Sequence, residues 1–179
     1  HFPKRLGKGK AIKEGLLKAH GDAIIYDADA STPPHEIPKL LTALKDNDIA
    51  IGSRRLHDSH AVGTSWYRQI ARSFFNLIVR TLFCLPYADT QCGFKAVKHN
   101  AVKKLAPLLK HAGYLWDVEL LYLAKKHGFR VKEIPVEWQH KKGGPLEAAS
   151  VVRVALKMLW GLIKLRLSLF TRKKPAAEN

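Results

Sequence analysis

Apolar positions change their period several times along this chain. Ala11, Ile12, Leu16, Leu17 and Ala19 recur at helical spacing between Gly9 and Ala19, and Gly21 ends the run. Ala23-Ile24-Ile25-Tyr26 then reads as a short buried strand running into Asp27-Ala28-Asp29. Ser31-Thr32-Pro33-Pro34 is a turn that also opens a helix, since proline is tolerated in a first turn and Glu36 suits the positive helix end. That helix runs to about Lys45, and Ile49-Ala50-Ile51-Gly52 is a second strand ending in Ser53-Arg54-Arg55. Strand, helix and strand at this spacing predict a βαβ unit and a parallel sheet.

A loop from Leu56 to Thr64 follows, then a long helix from Ser65 to Phe83. Asp89 to Val97 is a loop leading into a strand, and His99 to Leu109 and Trp116 to His127 are helices, the second closed by Gly128. Val131 to Trp138 alternates as a strand, with Pro135 pointing to an edge position. Lys141 to Pro145 is a breaker-rich linker, and the stretch to about Phe170 is strongly apolar and helical. Alternating α and β elements with one such tail argue an α/β layer fold plus a C-terminal appendage, divided here as residues 1–147 and 148–179.

Composition narrows the partners. The chain has 179 residues, about one ordinary domain, and its 46% hydrophobic content excludes a disordered chain. Cys84 and Cys92 are too few for a disulfide scaffold and suit a reducing compartment. Against 15 Asp+Glu stand 31 Lys+Arg, a formal charge of +16. Nucleic acid, an anionic membrane surface and a phosphorylated substrate are the candidate partners for that surplus.

Asp27-Ala28-Asp29 is the sharpest chemical feature. Read as the end of a strand, positions i and i+2 face one way, so both carboxylates leave the C-terminal end of a parallel strand together, where open α/β sheets bind ligands. Two converging carboxylates call for a hard divalent cation, and Mg²⁺ is commonly shared between carboxylates and substrate phosphates. An ordinary acidic loop is the plainer reading. Gly7-Lys8-Gly9-Lys10-Ala11 precedes a helix, whose N-terminus favours anions, but no Walker pattern fits, and a solvated basic cap explains it equally.

Arg68, Arg72, Asn76 and Arg80 share one side of the long helix, with Ile70, Phe74, Leu77, Ile78, Thr81 and Leu82 opposite. With Arg54 and Arg55 they suit a phosphate, or else form a solvated face. In the last helix Arg153, Lys157, Gly161, Lys164 and Ser168 make a narrow polar stripe among Val154, Met158, Leu159, Leu162, Ile163, Leu165 and Leu169, with Trp160 and Phe170 as interface aromatics. Its charges argue against a spanning segment and for an in-plane interfacial helix, the alternative being burial against the domain or a partner. The cysteines lack zinc spacing, and neither H-E-x-x-H nor G-x-S-x-G occurs.

Taken in order, Gly7-Lys8-Gly9-Lys10-Ala11-Ile12, Asp27-Ala28-Asp29, Ile51-Gly52-Ser53-Arg54, Asp89-Thr90-Gln91-Cys92-Gly93-Phe94-Lys95, Trp116-Asp117-Val118-Glu119-Leu120 and Pro135-Val136-Glu137-Trp138 resemble the family 2 glycosyltransferases that use polyprenyl phosphates. Asp89 to Lys95 carries the most specific match, and it is closer to the dolichyl-phosphate glucosyltransferases than to the mannose synthases. The resemblance implies a GT-A-like, Rossmann-like nucleotide-sugar transferase fold, a UDP-sugar donor (UDP-glucose first), Mg²⁺ or Mn²⁺, and a polyprenyl or dolichyl phosphate acceptor at the cytoplasmic face of a membrane.

On that resemblance Asp27 and Asp29 bind metal and diphosphate, and Gly7, Lys8 and Gly9 assist. Arg54, Arg68, Arg72 and Ser73 hold the acceptor phosphate, and Asp89 and Gln91 border the reaction centre. The family's opening strand, with its P-x-Y-N-E-like motif, and the following D-G-S-type segment are missing, so the chain is expected to begin partway through the domain. The loop after Trp138 reads His140-Lys141-Lys142-Gly143-Gly144-Pro145 where the family often carries a Ser-Lys pair. Competing readings are mannose transfer from GDP-mannose, and a non-catalytic basic module that binds nucleic acid or anionic membrane. Nucleic acid is disfavoured because aromatic residues are not interleaved with the basic ones.

Overall fold

Ile49, Ala50 and Ile51 set the plan of the molecule. In the computed structural model, which describes residues 7–63, 66–139 and 148–170, these three are fully buried in consecutive positions of one strand. Ile49 and Ile51 enter one apolar cluster and Ala50 enters another, as the alternation of a strand sandwiched between two layers requires.

The chain opens with α1 (Lys8–Leu17), β1 (Ala23–Ile25), a short 3-10 turn, α2 (Ile37–Asp46) and β2 (Ile49–Ser53). It continues through β3 (His60–Val62), α3 (Trp66–Phe83), β4 (Lys95–Val97), α4 (His99–Leu105) and α5 (Trp116–Lys126). It closes with β5 (Val131–Pro135), β6 (Glu137–Gln139) and α6 (Ala148–Phe170). The main sheet has the order β1-β4-β2-β5, and β3 pairs with β6 in a separate two-stranded ribbon. On one face α2 covers Ala50, Phe94, Ala96 and Ile134 with Leu40 and Leu44. On the other, Trp116, Leu120 and Leu105 pack with Phe83, Val79 and α6's Leu162, Leu165 and Leu169.

Several predicted elements are corrected. β1 and β2 do run parallel to each other, but β4 lies antiparallel between them, so the sheet is mixed. Among the described residues, the parallel partner of β2 is β5, on the sheet's edge. The loop expected from Leu56 to Thr64 contains β3, and the strand expected from Val131 to Trp138 breaks at Val136 into β5 and β6. The stop at Gly128 holds: its φ of 75° lets its N–H reach the Lys125 carbonyl while Phe129 N–H reaches Ala124, closing α5 in a Schellman turn.

The two amphipathic helices turn differently from the expected stripes. Asn76 faces inward and is buried, together with Phe75, Val79 and Phe83, whereas Ile70, Phe74 and Leu77 face solvent. The polar stripe through Arg72 and Asn76 therefore lies over the domain, and an apolar stripe lies outside. On α6, Leu162, Leu165 and Leu169 enter the core beside α3, Gly161 lies against Leu115, and Arg166 donates to the Tyr122 hydroxyl at 3.0 Å. Leu156, Trp160, Ile163 and Leu167 are exposed on the far side. So α6 is docked along one face, and its expected polar stripe does not separate the docked side from the open one. The side chains of Arg68, Arg153, Val154, Lys157 and Phe170 and the Lys141 to Pro145 linker with the 147/148 division lie outside the described residues. Among the described residues no helix is long and apolar enough to cross a membrane.

Candidate active site

The Asp27 carboxylate is boxed in from two directions. Lys8, in the first turn of α1, donates to its Oδ1 at 2.6 Å. On the other side the Gly93 backbone packs so closely that an added Cβ would lie 2.3 Å from Oδ2, so a larger residue there would push the carboxylate aside. β1 has ended by this point: Ala30 N–H bonds the Asp27 carbonyl at 3.0 Å, and Ala30 has a φ of 51°. The two aspartates therefore sit on a turn, and strand alternation does not aim them together. Asp29 uses its Oδ1 to accept from Ser31 N–H at 3.0 Å, an Asx turn.

Gly7 and Gly9 pack against the 111–113 loop. Gly9 N–H and Lys10 N–H both donate to the Ala112 carbonyl, and a Cβ on Gly9 would lie 2.2 Å from the His111 oxygen. These glycines let α1 dock on the 111–113 loop, whose Ala112 carbonyl takes the Gly9 and Lys10 N–H groups.

A second centre is built on the segment after α3. Arg54, at the end of β2, grips Asp89 through Nε at 2.7 Å and Nη2 at 2.9 Å, with its backbone N–H at 3.1 Å. Burial works to raise the Asp89 pKa, but the Arg54 bonds and charge outweigh it and hold the carboxyl below its ordinary value. Gln91 N–H adds a bond to Asp89 Oδ1 at 3.2 Å. The loop itself is fixed from beneath: Glu133 of β5 accepts from Ala88 and Asp89 N–H at 2.8 and 2.7 Å. Buried Asn76 donates to the Ala88 carbonyl and accepts from Thr90 N–H and hydroxyl. Cys92 on the same loop is buried and its thiol is pushed up to about 11, by burial first and then by the Asp89 charge, so it is an inert packing residue.

Beside this loop opens a polar cavity of about 280 Å³ lined by Arg54, Arg55, Arg72, Ser59, Gln69 and Ser73. Arg55 donates to the Ser73 hydroxyl at 3.1 Å. The Arg54 and Arg72 guanidiniums lie 5.3 and 5.2 Å from the centroid of the largely buried Trp138 ring, so one indole carries both cations. Three guanidiniums and two hydroxyls around one cavity suit an anion with several oxygens, such as a phosphate. Of the residues expected to suit a phosphate, Arg54, Arg55, Arg72 and Ser73 come together, and Ser59, Gln69 and Trp138 were not anticipated as parts of the site.

The α5 motif divides into two structural roles. Glu119 is fully buried and accepts the N–H groups of Lys110 and His111 at 2.8 to 3.1 Å, capping that loop. Asp117 accepts from the buried Lys95 ammonium at 2.6 Å. Neither carboxylate opens onto the arginine-lined cavity. Among the described residues, the group that brings three potential metal ligands within 4.8 Å is His35, Glu36 and Glu137, not the aspartate pair. There Lys39 already satisfies Glu36 Oε1 at 2.7 Å.

The mixed α/β sheet, with acidic groups after β1 and a cavity suited to an anion after β2, has a GT-A-like fold, as its superposition on a solved glycosyltransferase shows. Glucosyl-3-phosphoglycerate synthase from Mycobacterium tuberculosis, solved with phosphoglyceric acid, superposes with a TM-score of 0.64 over 90% of this chain and 56% of that one, at 15% identity. The same enzyme solved with Mn²⁺ and UDP-glucose gives a TM-score of 0.61 over 90% of this chain and 56% of that one, at 19% identity.

The family model for glycosyl transferase family 2 matches residues 1–106, and the chain belongs to that family. It is 32% identical to the dolichyl-phosphate beta-glucosyltransferase of Dictyostelium discoideum over 89% of this chain and 54% of that protein. With the Drosophila melanogaster enzyme of the same name it shares 36% over 78% of this chain and 46% of that protein. The chain spans about half the length of the curated relatives it matches.

Proposed function

We propose that this chain serves an inverting transfer of glucose from UDP-glucose to a dolichyl or other polyprenyl phosphate at a membrane surface. The observation that carries the reading is the two-sidedness of α3. One side contributes Gln69, Arg72 and Ser73 to the cationic cavity, and the other exposes Trp66, Ile70, Phe74 and Leu77. A phosphate on a long hydrocarbon chain is a substrate that uses both sides at once. The dolichyl-phosphate glucosyltransferases named above support the same acceptor and sugar.

The chemistry needs no protein base. A phosphate monoester is mostly dianionic near pH 7, because its second pKa is about 6. One of its oxygens attacks the anomeric carbon while the bond from that carbon to the donor's diphosphate oxygen breaks, and UDP leaves with the electron pair. Arg54, Arg55 and Arg72 hold the acceptor oxygens against their charge, with Ser73 beside them. Asp89 acts through Arg54 by fixing its plane, and Gln91 lies on the same loop. Asp27 and Asp29 offer the hard oxygen donors that suit Mg²⁺ or Mn²⁺, which when bound neutralises the departing diphosphate. Lys8, now on Asp27, exchanges that anion for the diphosphate.

The test is to incubate the protein with labelled UDP-glucose, dolichyl phosphate and Mn²⁺, and to look for a lipid-linked product that Asp27→Ala and Arg72→Met abolish. A product formed from GDP-mannose instead would move the reading to mannose. No lipid-linked product from any UDP- or GDP-sugar would overturn it.

A further inference from the structure

Lys95 is a charge with no access to water. It is fully buried at the start of β4, with its ammonium 5.2 Å from the Trp116 ring centroid. It makes two bonds: one to Asp117 Oδ1 at 2.6 Å, and one to the carbonyl of Cys92. Burying such a pair is costly, and apolar residues of similar volume commonly stabilise a fold as well or better. A buried ion pair is therefore weak evidence for stability, and its use is sought in what it positions.

The Cys92 carbonyl is the link. The next residue, Gly93, forms the wall against Asp27, where a Cβ would lie 2.3 Å from Oδ2. Lys95 thus holds the peptide that contacts the Asp27 carboxylate, Asp117 holds Lys95, and Lys8 holds Asp27 from the other side at 2.6 Å. The path runs from the first turn of α5 through β4 to the turn after β1, and each step is a direct contact.

We propose that Lys95 and Asp117 are positioning residues for Asp27: the buried pair fixes the Cys92-Gly93 peptide and thereby the carboxylate that receives the divalent cation. This rests on the reading of Asp27 as a cation ligand. Neither residue touches the reacting atoms.

The test replaces the pair with an apolar one, Lys95→Met with Asp117→Leu, in a Cys84→Ser background that leaves Cys92 as the only thiol. Three measurements are made: thermal melting, reactivity of Cys92 toward a thiol reagent, and binding of Mn²⁺ alone, read by electron paramagnetic resonance. A folded double variant is expected to expose Cys92 faster and to bind Mn²⁺ on the order of 10-fold more weakly or worse, as loss of groups behind a metal ligand does. Unchanged Mn²⁺ affinity in the folded variant overturns the proposal. If the double variant does not fold, Gly93→Ala decides: it leaves the ion pair intact but intrudes on Asp27, and undiminished Mn²⁺ binding by it overturns the proposal equally. Failure of the parent protein to bind Mn²⁺ would instead remove the cation-site reading on which the proposal rests.

Discussion

Arg54 and Asp89 meet edge to edge, with two guanidinium nitrogens on two carboxylate oxygens at 2.7 and 2.9 Å. Burial works against the Arg54 charge, and the bonds and charge of Asp89 more than offset it, so the Arg54 pKa stands above its ordinary value. One edge of the guanidinium is spent on Asp89, while its face lies on Trp138 and the group still borders the cavity. Asp89→Asn keeps the shape and removes the charge. It is expected to cost about 2–3 kcal/mol of stability, the worth of hydrogen bonds to a charged group. It should also raise the KM for the acceptor phosphate more than that for the nucleotide sugar. Denaturant melts and acceptor titrations check this, and equal KM increases for both substrates would remove the assignment.

Glu133 controls the same loop from β5. Its carboxylate takes the N–H groups of both Ala88 and Asp89. Glu133→Ala leaves two partly buried donors unsatisfied, a loss of roughly 1–3 kcal/mol for each such group. The expected outcome is a lower Tm together with an acceptor KM shifted in the direction of Asp89→Asn. Combining the two substitutions should cost less than the sum, because both act on one loop. Strict additivity in a double-mutant cycle would show that Glu133 does not act through Asp89.

Glu133 also marks where sequence reading stops. Within an alternating strand it occupies a polar position like any other, and nothing local says that a loop 44 residues earlier sits on its carboxylate. The helices, the Gly128 stop of α5 and the motif stretch from Asp89 to Lys95 were legible because their signals are local, whereas α1 already ends at Leu17, four residues short of Gly21. The insertion of β4 between β1 and β2 was not, because strand order is a non-local choice that periodicity does not encode. β3 escaped because all three of its residues are exposed and its partner β6 lies far along the chain. The α3 stripes inverted for a different reason. Phe75, Val79 and Phe83 are as apolar as Ile70, Phe74 and Leu77, so a helical wheel cannot tell which face meets the core.

The two buried aspartates give the fold opposite responses to pH. The Asp117 carboxyl is pushed up to about 6, by burial first, with Lys95 and Lys8 pulling the other way. An unfolded Asp titrates at about 3.9. A raised folded pKa contributes stability that is fully present below the unfolded value and is lost as pH rises through the folded one. Relative to Asp117→Asn, the parent protein should therefore gain stability as pH falls from 7 to about 4. Asp89, held low by Arg54, contributes stability above about pH 4 that is lost only as pH falls further. Denaturation at a series of pH values measures both, and a stability difference from Asp117→Asn that stays flat between pH 4 and 7 would contradict the first.

Glu119 stands in the first turn of α5, in the motif stretch that resembles the transferase family, yet its oxygens take the N–H groups of Lys110 and His111. Glu119→Gln is expected to lower stability by roughly 1–3 kcal/mol, since an amide nitrogen then faces backbone donors. The pH dependence of transfer should keep its shape. A lost ionisation in that profile would restore Glu119 as a proton acceptor.

The outer stripe of α3 gives the clearest separation of surface binding from catalysis. Ile70 is 60% exposed and Phe74 61% exposed, so replacing both with serine should leave stability within about 0.5 kcal/mol per site. If these side chains enter a bilayer surface, each loses burial worth about 1.5–3 kcal/mol when complete, so partial insertion makes each worth roughly tenfold in vesicle binding. Flotation with anionic vesicles should therefore fall about a hundredfold for the double variant. Arg72→Met should leave flotation close to the parent while raising the acceptor KM, because Arg72 lines the cavity and stacks on Trp138 instead of facing outward. Raising salt should weaken flotation of both variants, since the basic surface adds an electrostatic share that the apolar stripe does not carry. Flotation of the double serine variant equal to that of the parent would mean that α3 does not meet the membrane.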